Sequence, residues 1–162
     1  MCGIAGFWSQ KTLAHGPVEL LNRMANQLAH RGPDDAGVFY ESGAGLGLAF
    51  RRLSIIDLSA AGHQPMASAS GRYTIIFNGE VYNYEEIRSE LGPQAWRGHS
   101  DTEVILAAIE RWGLKAAVQR FVGMFAFALW DSQERKLHLV RDRLGIKPLY
   151  YGRVDGAFVF AS

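Results

Sequence analysis

A single cysteine in 162 residues leaves the chain no intramolecular disulfide and no multi-cysteine metal site. Long apolar runs are missing too. The longest, such as Met124 to Trp130, stops far short of the ~20 residues that cross a bilayer. The N-terminus has neither a basic n-region nor an apolar h-region. The expectation is a soluble, cytoplasmic protein with no membrane partner. Charge of one sign is equally scarce: 17 Lys plus Arg against 16 Asp plus Glu give a net charge of +1. No basic block supplies the phosphate-neutralising footprint of a nucleic-acid binder, so nucleic acid is not expected as a partner. His15, His30, His63, His99 and His138 lack paired metal-ligand spacing, and no metal is expected. No Gly-rich pyrophosphate loop is visible, so these residues support no ATP site of their own.

What is present reads as one ordinary globular domain spanning 1–162. Hydrophobic residues make up 48% and charged residues 20%. Glycine is over-represented, at 18 residues. Cys2 to Trp8 is a short apolar run without helical period, which suits a strand buried on both faces. Leu20, Leu21, Met24 and Leu28 fall at helical spacing within Pro17 to His30, predicting an amphipathic helix. Strand-like stretches follow at Gly37 to Tyr40, Leu46 to Phe50 and Leu53 to Ile56. A long segment, Asp57 to Ser70, is of the length often found in loops that cover a site. Tyr73 to Phe77 is β-branched and aromatic and runs into Asn78-Gly79, by itself a hairpin turn pair. Glu85 to Leu91 reads as helix. Ser100-Asp101-Thr102-Glu103 matches a capping box ahead of a helix through Trp112. A short helix at Ala116 to Phe121 precedes two hairpins, Met124 to Asp131 with Lys136 to Arg141, and Pro148 to Arg153 with Ala157 to Ala161. Eight or nine strands with clustered helices predict an α+β fold with antiparallel sheets.

Cys2 is the residue with most chemical consequence. Trimming of the initiator methionine would leave its thiol and a free α-amine on one carbon framework. An α-amine with an ordinary pKa near 8 is partly neutral at physiological pH and can act as the base for the thiol. The same cysteine can also be read as an incidental buried thiol.

Seven ordered blocks bear on that choice: MCGIAGFW at 1–8, HRGPDDAG at 30–37, RLSIIDLSAAGHQPM at 52–66, FNGEVYNY at 77–84, SDTEVIL at 100–106, GMFAFALWD at 123–131 and RDRLGIKPLYY at 141–151. Together they resemble the glutaminase domain of glutamine-hydrolysing asparagine synthetases, a class II amidotransferase with an N-terminal nucleophile. The resemblance implies a four-layer αββα sandwich of two antiparallel sheets between helices. It implies Cys2 as nucleophile, with Asn78 (side-chain amide) and Gly79 (backbone N–H) as the oxyanion hole. It implies Arg52 as holder of the substrate α-carboxylate, a role suited to a planar, bidentate fork. Strand alternation points Arg51 to the opposite face. Glu80 and Asp101 are implied around the α-ammonium, although Asp101 also suits the first turn of a helix with no ligand. Leu53, Ile55 and Ile56 complete the implied substrate contacts.

The implied reaction hydrolyses the side-chain amide of L-glutamine to glutamate and ammonia through a Cys2 thioester, without a cofactor in this domain. ATP and magnesium are implied only for a C-terminal synthetase domain that would use the ammonia and that these residues do not contain. The resemblance further implies that Asp57 to Met66 lies near the pocket as a cover, and Arg141, Asp142, Arg143 and Lys147 suggest a face toward that partner domain. Arg31-Gly32-Pro33-Asp34 reads equally as turn architecture. A different ammonia acceptor, such as a sugar or surface-polysaccharide precursor, stays open, as do a non-catalytic module of this fold and a homodimer.

Overall fold

Alternation along the first strand decides the architecture. The computed structural model describes residues 1–10 and 16–162, so His15 lies outside the described residues. In β1 (Gly3–Trp8), Ile4 joins one buried cluster while Ala5 and Phe7 join another on the opposite face. A strand apolar on both faces must be covered on both. One cover is α1 (Pro17–Gln27), whose Leu21 and Ala25 pack on Ala5, Phe7 and Ala49. The other is a second sheet.

The first sheet has the order β2-β3-β1-β9-β8, where β2 is Asp35–Glu41, β3 Leu46–Arg52, β8 Tyr150–Val154 and β9 Ala157–Ala161. The second has the order β4-β5-β6-β7, where β4 is Met66–Ala67, β5 Tyr73–Val81, β6 Gly123–Asp131 and β7 Lys136–Arg141. All pairings are antiparallel. Between the sheets, Ile4, Leu46, Leu48 and Phe50 of the first meet Ile76, Ala126, Ala128 and Trp130 of the second. Full burial of side chains this size contributes roughly 1.5–3 kcal/mol each. The outer face of the second sheet, with Ile75, Phe77, Phe125, Phe127 and Leu129, is covered by α2 (Tyr84–Leu91), α3 (Asp101–Trp112) and α4 (Leu114–Arg120). The layers therefore run helix, sheet, sheet, helices, the αββα sandwich that the resemblance implies.

Several sequence expectations change. The described residues contain nine strands and four α-helices, and the expected helices at 85–91 and 116–121 form as α2 and α4, the latter starting two residues earlier at Leu114. Leu53 to Ile56 is not a strand. β3 ends at Arg52 because the next amides are committed to side chains: the Leu53 N–H donates to Cys2 Sγ and the Ser54 N–H to Asp34 Oδ2. Asn78-Gly79 is not a turn, since β5 runs straight through it, pairing Asn78 with Ala126 and Gly79 with Phe125. The capping box forms by half. Ser100 Oγ accepts from the Glu103 N–H at 3.3 Å, but the Glu103 carboxylate takes the Arg97 and Gly98 amides instead of returning to Ser100. None of the helices in the described residues is long and apolar enough to cross a membrane.

Packing density makes one test sharp. A Cβ on Gly6 would stand 2.5 Å from the Gly47 carbonyl oxygen and collide with the Phe160 ring, whereas one on Gly152 in edge strand β8 meets nothing within 4 Å. Gly6→Ala is expected to cost about 1–3 kcal/mol of stability in urea unfolding. Gly152→Ala is expected to be neutral or slightly stabilising.

Candidate active site

The period of two that builds the sandwich also assembles the site. Cys2 has the parity of Ile4, Arg52 that of Phe50, and Asn78 and Glu80 that of Ile76, so all four point between the sheets. The antiparallel register sets Gly3 opposite Arg51, which brings the start of β1 beside the end of β3. Arg51 has the other parity and donates from Nε to the Gly32 carbonyl at 3.1 Å, away from the site. One cavity is lined by Cys2, Arg52, Leu53, Ile55, Ile56, Asn78, Gly79, Glu80 and Asp101, so every residue expected at the site meets there. Met1, Asp57, Gly62, Gln64, Thr102 and Lys147 also line it.

Cys2 is half-buried at the cavity floor. Its Sγ accepts from the Leu53 N–H at 3.4 Å and lies 3.6 Å from the Leu53 carbonyl oxygen. Burial pushes the thiol pKa up, against the Leu53 hydrogen bond and the positive charges of the N-terminus and Arg52. The raised value favours the thiol over the thiolate. Met1 precedes it as an exposed residue whose sulfur lies 3.2 Å from the buried Lys147 ammonium.

Asn78 is 1% exposed, and its Nδ2 has no hydrogen-bond partner. A buried amide donor left unsatisfied costs about 1–3 kcal/mol, and this one belongs to a residue that lines the cavity. Gly79 is required by space: a Cβ there would run into the Met124 carbonyl and stand 2.5 Å from Phe125 Cα.

The cation and the acid on the cavity lining are fixed by different devices. Arg52 is buried, and its Nη1 donates to the Ser59 carbonyl at 2.8 Å and its Nη2 to the Asp57 carbonyl. Glycine at position 62 is what leaves room for that guanidinium. Asp101 opens α3, where its Oδ2 accepts from the Val81 N–H at 3.0 Å. Burial raises its pKa to about 6, with the Val81 and Thr102 hydrogen bonds opposing and the Glu80 charge adding to the rise.

The segment from Asp57 to Met66 lies at the cavity as expected, with Asp57, Gly62 and Gln64 on its lining, and it is packed in place. The Gln64 side chain accepts from the Phe77 N–H at 2.6 Å and donates to Thr102 Oγ1 at 3.2 Å, and His63 Nδ1 lies 2.7 Å from Asp35 Oδ2. These contacts join the segment to β5, α3 and β2. The face suggested at 141–147 also changes. Arg141 and Arg143 are exposed, but Asp142 and Lys147 are buried. The Asp142 carboxylate accepts the amides of Phe125, Leu144, Ile146 and Lys147 and so organises the loop from within. Asp57, Gln64 and Lys147 line the cavity in addition to the residues expected there. Asp57 and Gln64 sit inside the block RLSIIDLSAAGHQPM, which was the available clue.

Comparison with known proteins gives the family of the chain. The family model described as a glutamine amidotransferase domain matches residues 1–162. The chain is 43% identical over 166 residues to asparagine synthetase [glutamine-hydrolyzing] 1 of Bacillus subtilis, covering all of this chain and 26% of that protein. It is 40% identical over 168 residues to asparagine synthetase [glutamine-hydrolyzing] 2 of the same organism, covering all of this chain and 21% of the relative. The chain thus spans about a quarter of the length of these relatives. Among solved structures, glutamine phosphoribosylpyrophosphate amidotransferase from B. subtilis superposes with a TM-score of 0.81 at 21% identity, over 99% of this chain and 41% of that one. That likeness is one of fold.

The raised pKa of Asp101 has a signed consequence. Its carboxyl favours the folded state when protonated, a contribution present in full below about pH 4 and lost as pH rises through about 6. Asp101→Asn, uncharged throughout, is expected to become more stable than the parent as pH rises from about 4 to 7. The gap reaches on the order of 2–3 kcal/mol, read by urea unfolding at several pH values. A gap independent of pH would contradict the assignment.

Proposed function

This chain belongs to the glutamine amidotransferase domain family, and from that premise we propose that it hydrolyses the side-chain amide of L-glutamine with Cys2 as nucleophile. The observation that carries the proposal is the unpartnered, buried Asn78 amide lining the same cavity as the Cys2 thiol. It supplies a donor aimed where negative charge would develop.

In this reading Met1 is removed, and the freed α-amine of Cys2 accepts the thiol proton as Sγ attacks the amide carbon. The carbonyl oxygen takes the developing charge onto Asn78 Nδ2 and the Gly79 N–H. The C–N bond then breaks and ammonia departs with the proton held by the amine. Water adds to the γ-glutamyl thioester, the C–S bond breaks, and glutamate leaves with the thiol restored. Arg52 holds the α-carboxylate, while Glu80 and Asp101 receive the α-ammonium. Leu53, Ile55 and Ile56 form the adjoining wall. Ammonia is the product to be passed on, and we assign its use to an ATP- and magnesium-dependent synthetase domain of the parent chain, in the cytoplasm. The part of the relatives' length beyond this match supports that division.

Cys2→Ala is expected to abolish ammonia release from glutamine while leaving the unfolding midpoint within a few degrees, and intact-mass measurement should show loss of Met1. Full activity with Met1 retained would sink the terminal-amine mechanism. Asn78→Ala should lower kcat by about 10²–10³. Arg52→Ala should mainly raise KM, because a carboxylate clamp acts in ground and transition states alike, and lysine at that position should not restore it. For the parent, KM for glutamine should climb as pH falls below about 6, because protonation of Asp101 removes an acceptor of the ammonium. A flat KM between about pH 5 and 7.5 would remove Asp101 from the site.

A further inference from the structure

Asp57 is a buried acid at the cavity rim that the chemistry above does not use. Its carbonyl oxygen accepts from Arg52 Nη2, and the neighbouring Ser59 carbonyl accepts from Arg52 Nη1 at 2.8 Å. Its carboxylate points elsewhere. Oδ1 accepts from the Ser59 N–H at 2.8 Å and from the Ser59 hydroxyl at 2.6 Å, while Oδ2 accepts from the His99 N–H at 2.9 Å. Two residues beyond His99 stands Asp101. A single side chain thus joins the turn whose carbonyls hold the guanidinium to the turn that opens α3.

The joint is tight on both sides. A Cβ on Gly98 would stand 2.5 Å from Asp57 Oδ2, and one on Gly62 would collide with the Arg52 guanidinium. The joint is also permanent over the working pH range. Hydrogen bonds, that of the Ser59 hydroxyl foremost, hold the Asp57 carboxyl at about 2, so it stays ionised while Asp101 titrates.

We propose that Asp57 is a positioning residue that fixes the separation between Arg52 and Asp101, and thereby the preference of the site for a substrate carrying both an α-carboxylate and an α-ammonium. This inference rests on the amino-acid reading of the site given above. Asp57 touches neither the reacting amide nor Cys2 in this role. Its removal loosens one end of the site against the other and leaves the thiol, the oxyanion donors and the sheet register in place.

Two thiol-directed reagents separate this role from a general one. A diazoketone amino acid shaped like glutamine depends on both charged ends of the site, whereas iodoacetamide depends on the thiol alone. In Asp57→Ala, labelling by the first is expected to slow at least about tenfold while labelling by the second stays within about twofold. KM for glutamine should rise by a similar factor with kcat within about threefold. Asp57→Asn keeps a side-chain oxygen as acceptor and should fall between parent and alanine variant. Ser59→Ala, which removes one partner of the carboxylate, should shift the reagent ratio in the same direction and carries the test if Asp57→Ala does not fold. An unchanged reagent ratio in the folded variants overturns the positioning role. A parent protein that releases no ammonia and is not labelled by the glutamine-shaped reagent overturns the glutaminase reading instead.

Discussion

Face-to-face packing of the two sheets is the constraint on which everything else depends. Ile4, Phe50, Ile76 and Trp130 fill the space between them, and no strand can slip by one residue without turning that layer outward. Because Arg52, Asn78 and Glu80 lie on the same strands at the same parity and Cys2 continues the parity of β1 from just before it, the register that buries the core also turns these side chains into the gap between the sheets. At the end of the sandwich where apolar residues give way to polar ones, the inter-sheet gap becomes the cavity. The site is the continuation of the core in different chemistry.

That placement puts charge where water is scarce, and the loops around the cavity are built to meet the cost. A buried ion needs hydrogen bonds for its free lone pairs or protons. Arg52 finds two backbone carbonyls, Asp57 two backbone amides and a hydroxyl, and Asp142 four backbone amides. Most of these partners are loop backbone groups, which have no sheet or helix ladder of their own to satisfy them; the exceptions are the Phe125 amide of β6 and the Ser59 hydroxyl. The charges are stabilised and the loops are given shape by the same bonds. This is why the segment from 57 to 66, long and rich in small residues, is packed against β2, β5 and α3.

Much of this was legible in the residues. The alternation of Ile4, Ala5, Phe7 and Trp8 gives a doubly buried first strand, and the opposed parity of Arg51 and Arg52 separates a cation that braces the Gly32 carbonyl from one in the cavity. The residues expected at the site do gather there. What could not be read is what depends on contacts distant in sequence. Asn78-Gly79 carries the local signature of a turn, and only the partner strand β6 holds it straight. Leu53 to Ile56 has strand composition, but its first amides are taken by Cys2 and Asp34. Asp142 and Lys147 look like surface charges in a motif of alternating signs, yet a carboxylate that gathers four amides must lie inside its loop. Asp57 was hidden in the same way, because its partner His99 stands 42 residues away.

The electrostatics of the proposed site favour a zwitterion over its neutral or singly charged analogues. The cavity is lined by Arg52 and by Asp101, an acid whose burial raises its pKa to about 6. A substrate with an α-carboxylate and an α-ammonium adds no net charge but gives each of them an opposite partner. An analogue lacking the ammonium leaves Asp101 beside Glu80 with no cation between them; one lacking the carboxylate leaves the guanidinium capped by carbonyls alone. Rejection of such analogues needs no steric device, because a buried group left unpaired costs more than the lost contact would suggest. The rigid backbone that holds Arg52 raises that selectivity, since an unpaired charge on a fixed side chain cannot swing out to water. In the proposed reaction, the energy gained at the α-carbon end therefore recognises the substrate, and its orientation presents the amide carbon to Cys2.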